Sequence, residues 1–240
     1  WGANAYGQSD PPDEGSYKAV SAGAAHTCAL TTAGEVTCWG RGGGGAGTEP
    51  EGTFRRLAAG GHYNCAIDTD HRAVCWGSEG FGRTDIPGGK FDEIGAGSFN
   101  TCGIETDGEL ECWGLENSKR GKIDVDFGQN RHPEGTFKQI SSDTFHSCAL
   151  ATDGDVHCWS RRFDFPDAEY VDIATGGFFS CALTADGEIH CAGDEMYGQT
   201  TPPDGKFTDI DAGSGHGCAI DTSGEAECWG KNSNGQASPP

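Results

Sequence analysis

Six pairs of cysteines recur along this chain, the members of each pair ten positions apart: Cys28/Cys38, Cys65/Cys75, Cys102/Cys112, Cys148/Cys158, Cys181/Cys191 and Cys218/Cys228. All twelve cysteines are used. First cysteines follow one another at intervals of 37, 37, 46, 33 and 37 residues, so the chain is an array of short units, and a period of that size belongs to solenoids and propellers. The 40 glycines and the short apolar runs select many short strands joined by tight turns over a helical solenoid.

Within a unit, Cys28 and Leu30 share one side of a strand, and Val36 and Cys38 alternate in the same way after a turn at Thr32-Ala33-Gly34. Folding about residue 33 opposes Leu30 to Val36 and Cys28 to Cys38. Directly opposed Cα atoms lie about 4.5 to 5.5 Å apart, a span that a disulfide bridges. The register therefore predicts six disulfides, one inside each unit. Zinc sites favour Cys-x2-Cys pairs, which do not occur here, so no metal is expected. A third strand precedes each hairpin, as in Tyr17 to Ala22 and Phe207 to Ala212, and opens on an aromatic with an aliphatic three residues on. Such a unit has two faces to bury and cannot bury them alone. Trp39, Trp76, Trp113, Trp159 and Trp229 each follow a second cysteine and are expected to pack between units.

A second motif, Trp-Gly-x-Asn-x-x-Gly-Gln, runs from Trp1 to Gln8 and again from Trp229 to Gln236, with diverged copies at Trp76 to Arg83 and Asp194 to Gln199. The string Ala-Gly-x-x-His-x-Cys-Ala-Leu at Ala22 to Leu30, followed by Gly-Glu-Val-x-Cys-Trp-Gly and this loop, resembles the regulator-of-chromosome-condensation repeat. The short period is similar to the compact branch of that superfamily typified by the bacterial β-lactamase-inhibitory protein type II. What the resemblance implies is a β-propeller used mainly as a rigid platform for protein binding. Two departures stand out: the paired cysteines, and six complete hairpins against a usual seven. The fold expected is all-β, a six-bladed propeller of three to four antiparallel strands per blade, forming a single repeat domain over residues 1–240. A closed six-bladed ring has one place for the Trp-Gly motif, so one terminal copy is redundant, or the chain is a segment cut at repeat boundaries. With no leader ahead of Trp1, it reads as a mature or trimmed form.

The formal net charge of −21, from 37 acidic and 16 basic residues, opposes nucleic acid binding, which relies on Lys and Arg displacing counterions. No stretch is apolar enough for membrane insertion. Paired cysteines place the chain outside the cell, at its surface or in the periplasm. An exchange factor for a nuclear GTPase does not suit such a chain.

The Gly-x-x-His loops and the Trp-Gly loops share one face, and the Asp-Gly turns and Pro-Pro linkers share the other; function in propellers lives on loop faces. The His of Gly-x-x-His, present as His26, His146 and His216, is expected to make a structural hydrogen bond. The residue before it reads Ala25, His62, Phe99, Phe145, Phe178 and Gly215. A binding arc is expected from His62, Tyr63, Phe99, Phe145, Phe178 and Phe179, because aromatics anchor interfaces; inward packing of these rings is the alternative. The partner is a protein or a glycan, and neither cofactor nor catalytic constellation is indicated. His26, His62, Tyr63, His146 and His216 leave a carbohydrate-active enzyme as a minor alternative. A lectin, or a fibre built by exchange of terminal segments, are others. The acidic turns at Asp107, Glu109, Asp153, Asp155, Asp186 and Glu188 are the second candidate face, for Ca²⁺ or basic partners. Lys119, Arg120, Lys122, Asp124 and Asp126 read as a solvated insertion, and Gly42 to Gly45 as a flexible connection.

Overall fold

The computed structural model describes residues 1–12, 15–42, 49–114 and 128–239. Lys119, Arg120, Lys122, Asp124, Asp126 and Gly43 to Gly45 lie outside them. Six antiparallel three-stranded sheets follow one another along the chain, each a meander of consecutive strands. They are β1 (Tyr17–Ala22), β2 (His26–Thr31) and β3 (Val36–Gly40); β4 (Phe54–Ala59), β5 (Tyr63–Asp68) and β6 (Ala73–Gly77); β7 (Phe91–Ala96), β8 (Asn100–Glu105) and β9 (Leu110–Gly114). Then come β10 (Phe137–Ser142), β11 (Ser147–Ala151) and β12 (Val156–Trp159); β13 (Tyr170–Thr175), β14 (Phe179–Thr184) and β15 (Ile189–Gly193); β16 (Phe207–Ala212), β17 (His216–Asp221) and β18 (Ala226–Gly230). The protein is a six-bladed β-propeller. Among the described residues the Trp-Gly segments form turns and add no fourth strand.

Each blade is stapled at its hairpin. Cys28 lies opposite Cys38, Cys65 opposite Cys75, Cys102 opposite Cys112, Cys148 opposite Cys158, Cys181 opposite Cys191 and Cys218 opposite Cys228. All six pairs are disulfides, as the register predicts. The expected spacing is corrected, however. The Cα atoms stand 4.0 Å apart for Cys28 and Cys38 and 4.1 Å apart in the other five pairs, closer than generic opposed residues, because a covalent bridge spans each pair. In the first five pairs the two cysteines also differ in burial. Cys28, Cys65, Cys102, Cys148 and Cys181 on the middle strands are buried, whereas Cys38, Cys75, Cys112, Cys158, Cys191 and Cys228 on the third strands are half-buried. The middle strand is flanked on both sides within its sheet, and the third strand is an edge.

The tight turn of each hairpin needs a left-handed residue, and Gly34 supplies it at φ 90°. The second blade puts His71 there at φ 67°. Its ring is held by Arg55, with Nη1 2.8 Å from His71 Nδ1, and by Asp92, whose Oδ1 is also 2.8 Å from Nδ1.

A β-bulge explains the aromatic-x-x-aliphatic spacing of the first strands. Residues three apart on a regular strand face opposite ways, yet Phe91 and Ile94 are both buried in one cluster. The pairing of every first strand slips by one residue just after its aromatic, as between Phe91 and Glu93. The extra residue brings both side chains to one side.

Blades pack leading face to trailing face. The cysteine and aliphatic residues of one hairpin meet the aromatic, the aliphatic and the tryptophan of the next blade. Cys102, Ile104 and Leu110 thus bury Phe137, Ile140 and Trp159. Five such clusters join six blades, each linking consecutive blades. Among the described residues none links the sixth blade to the first. At that seam Val20 is 68% exposed, where its counterparts Ile94, Ile140, Ile173 and Ile210 are buried. The expectation for the tryptophans is corrected in one place: Trp76, Trp113, Trp159 and Trp229 are buried, while Trp39 is half-buried because no blade covers its side.

Candidate functional site

Two loop sets meet on one face. The residue after the glycine that ends a third strand donates its backbone N–H to the carbonyl of a loop tip, as Arg41 does to Ala25, Ser78 to His62, Asp194 to Phe178 and Lys231 to Gly215. Neighbouring tips are also tied together: Ser98 Oγ lies 2.8 Å from Thr144 Oγ1, and Gly61 N donates to Gly97 O at 3.2 Å. Five of the six loops begin on glycine, the fourth on Asp143, because the backbones nearly touch; a Cβ on Gly60 would stand 2.5 Å from Gly97 O. In this constrained geometry the tip residue turns outward and the residue after it turns inward.

That alternation divides the predicted arc. Tyr63 and Phe179 are fully buried, which removes them from the arc as a correction. Each occupies the inward position, where its side chain reaches the next blade. Tyr63 donates its hydroxyl to Asn100 O at 2.6 Å, and burial pushes its pKa up. Two of the three histidines at this position make the hydrogen bond expected of them, and His216 is the exception among the described residues. His26 Nε2 is 2.7 Å from Asn64 Oδ1, and His146 Nε2 is 2.7 Å from Ser180 Oγ.

The outward residues remain available. His62 and Phe178 are exposed, and Phe99 and Phe145 are half-buried. Phe145 and Phe178 stack with centroids 4.6 Å apart and planes 17° apart, and the Arg161 guanidinium lies 4.7 Å from the Phe178 centroid. Phe99 meets Phe81 edge to face at 5.3 Å. Arg83, itself buried, lies 4.9 Å from the Tyr63 centroid and 5.8 Å from that of Phe81, and donates to Ser78 O and Ser98 O. Desolvation lowers its pKa.

The sequence reading missed a second set of rings, on the Trp-Gly loops themselves. Tyr6, Phe81 and Tyr197 hold one repeat position, two residues before Gln8, Arg83 and Gln199. Tyr6 and Tyr197 are 53% and 49% exposed, with Arg41 5.1 Å and Lys231 5.3 Å from their centroids. The signal was present as aromatic-Gly-Gln or aromatic-Gly-Arg. In a chain with only 16 basic residues, four cations stand over rings on this one face.

The other face offers turn chemistry. Asp107 and Asp153 accept the backbone N–H groups of Glu109 and Asp155, as Asx turns do. No group of three or more His, Cys, Asp or Glu able to hold a metal ion occurs among the described residues.

His146 carries a pH dependence. Burial, with a smaller contribution from Arg161, lowers its pKa from 6.5 to about 4, and Nδ1 is buried without a partner. The ring is therefore neutral in the folded state, and protonation favours the unfolded chain. The stability it protects is complete above pH 6.5 and declines as pH falls toward 4, by up to about 3 kcal/mol. Asp143, Asp172 and Glu93, raised by desolvation, act in the opposite sense. Denaturant titrations of the native chain and of His146→Gln at pH 7 and 4.5 cancel those carboxyls. The native chain is expected to lose more stability than the variant; equal losses refute the assignment.

Three segments, residues 17–46, 170–199 and 207–236, match the family described as Regulator of chromosome condensation (RCC1) repeat. No curated protein matches the chain in sequence. Among solved structures it is similar to the CRINKLY WD40 ectodomain of the Arabidopsis thaliana receptor kinase ACR4, with 20% identity, a TM-score of 0.76, and coverage of 96% of this chain and 87% of that one. The entire ectodomain of the Physcomitrella patens receptor kinase CR4 superposes with a TM-score of 0.78 at 20% identity, over 96% of this chain and 66% of that one. Prp20p of Saccharomyces cerevisiae, a protein described with its binding to Gsp1p and histones, gives 0.75 at 18% identity, over 92% and 74%. At these identities the likeness shows the fold.

Proposed function

We propose, from the premise that this chain belongs to the regulator-of-chromosome-condensation repeat superfamily, that it is a secreted or cell-surface binding platform whose partner is a protein held on the loop face. The observation that carries this reading is the outward set of His62, Phe99, Phe145 and Phe178, joined by Tyr6, Phe81 and Tyr197 and accompanied by Arg41, Arg161 and Lys231. Rigid rings with a cation alongside are what interface anchors are made of. The disulfides favour an oxidising compartment. Two of the similar structures are receptor ectodomains, and Prp20p is described with protein partners.

The test replaces a pair of rings at the outward loop-tip position. Phe145→Ala with Phe178→Ala removes the stacked rings from the outer side of their loops. Proteins captured from the native extracellular medium by the unmodified chain are expected to be lost with the double variant, with affinity down about 100-fold or more, as hot-spot truncation does. The melting temperature is expected to change little. A well-folded double variant that binds with unchanged affinity rejects this face. Binding confined to a glycan array, and sensitive to the same pair, changes the partner class to carbohydrate.

A further inference from the structure

The seam between the sixth and first blades has a defined width. In blades one, three, four and six, the tryptophan of the third strand donates its indole N–H to the backbone carbonyl that closes the loop ahead of that blade. Trp39 donates to Gln8 at 3.0 Å, Trp113 to Arg83 at 3.0 Å, Trp159 to Gln129 at 2.6 Å and Trp229 to Gln199 at 2.8 Å. Trp1 makes the same bond, to Gln236 at 3.0 Å. The glycine that follows also repeats: Gly40 has φ 99° with a Cβ position 3.0 Å from Gln8 Cβ, and Gly2 has φ 101° with a Cβ position 3.4 Å from Gln236 Cβ. Trp1 and Gly2 thus stand where the third strand of a blade after the sixth comes to its end. One loop spans one step between blades. Two loops, Trp229 to Gln236 and Trp1 to Gln8, lie between the sixth blade and the first, so the seam is two steps wide.

We propose that this seam is a docking site one blade wide, and that its occupant is a further three-stranded unit of the same cysteine-hairpin repeat. The proposal is independent of the loop face. Its two walls are the complementary halves of the interface that recurs five times in the molecule. On the sixth blade the leading residues Cys218, Ile220 and Cys228 are only partly buried, although Cys181 and Leu183, the counterparts of the first two, are 2% exposed. On the first blade the trailing residue Val20 is exposed and Trp39 is only half-buried.

The polar groups of the interface also wait for a partner. His26 and His146 bond the residue just before the first cysteine of the next blade, whereas the His216 ring has no hydrogen-bond partner among the described residues. Ser21 Oγ and Ser141 Oγ accept backbone N–H groups of the next blade, from Ala59 at 2.9 Å and Thr175 at 3.0 Å. Asp211, at the same repeat position, accepts among the described residues only from Ala212 on its own strand. A unit of this repeat offers an aromatic, an aliphatic and a backbone N–H at once, and in five of the six units, all but the one with Gly217, a polar residue before its first cysteine. Trp1, bonded to Gln236 O, already stands where such a unit's third strand would end.

The experiment appends a copy of residues 204–228 directly after Pro240, the copy carrying Gly217→Asn so that it presents the polar partner that Asn64 gives His26. Pro239 and Pro240 follow Gln236 at the offsets at which Pro202 and Pro203 follow Gln199, so the linker register is kept. The melting temperature is expected to rise by about 5 °C or more, the copy to resist protease, and Trp39 emission to shift to the blue. Aspartate at the two positions of the copy equivalent to Phe207 and Ile210 is expected to abolish all three. The proposal is overturned by an appended copy that is cleaved like a free linker with no gain in melting temperature. It is also overturned if the unmodified chain sediments as an oligomer that Val20→Asp dissociates, since a second copy then covers the walls.

Discussion

Complete reduction of the six disulfides is expected to unfold the propeller under conditions in which the oxidised chain stays folded. Each bridge closes a short hairpin and constrains the unfolded chain by roughly 2 to 3 kcal/mol on the chain-entropy account. Six of them match or exceed the ~5 to 15 kcal/mol of net stability that domains typically possess. The order of reduction is a sharper test. Five of the first cysteines, Cys28, Cys65, Cys102, Cys148 and Cys181, are buried under the next blade, and Cys218 is not. Alkylation under mild reductant should therefore label Cys218 and Cys228 first. Uniform labelling of all six pairs, or a reduced chain with unchanged circular dichroism and melting, contradicts the picture of staples protected by interblade packing.

Trp159→Ala is expected to cost about 3 to 5 kcal/mol, the usual penalty for emptying a large buried site. The ring is 6% exposed, fills the interface with Ile104, Leu110 and Ile140, and satisfies Gln129 O at 2.6 Å. Its loss leaves a cavity and removes the indole hydrogen bond to Gln129 O. Trp39→Ala is the internal control, since Trp39 makes the same indole bond but lies half-open at the seam. Its cost should be clearly smaller, at about 1 to 2 kcal/mol. Urea titrations of the two variants measure the difference, and equal costs contradict the reading of the seam as an uncovered wall.

The aromatic face shows why a site is harder to read than a fold. Phe178 and Phe179 are neighbours of one chemical type, and one is exposed while the other is fully buried. A loop tip has no periodicity from which to assign in and out, so the choice fell to packing. Phe179 sits in the cluster between the fifth and sixth blades with Phe207 and Trp229, while Phe178 stacks on Phe145. The cations beside the rings were equally hidden. Arg161 is 17 residues from Phe178 in sequence and meets it only because adjacent loops converge.

The sequence by itself determined what is local. Ten residues from one cysteine to the next, with a turn at the midpoint, leave one register in which the two sulfurs meet, and the strands Tyr17–Ala22 through Ala226–Gly230 follow from alternation about that register. The sixfold repetition then required blades, because a single unit cannot cover both of its faces. Only the tertiary structure decided what depends on contacts between units. The bulge that lets Phe91 and Ile94 face the same way is one such feature, and the division of the arc into core and surface is another. The seam is the third. Two copies of the Trp-Gly motif looked like one too many for six blades, until Trp1 was found on Gln236 as Trp39 is on Gln8. Whether a ring closes depends on the small rotation from each blade to the next, summed over all of them, and that angle arises from interblade packing that no single repeat encodes.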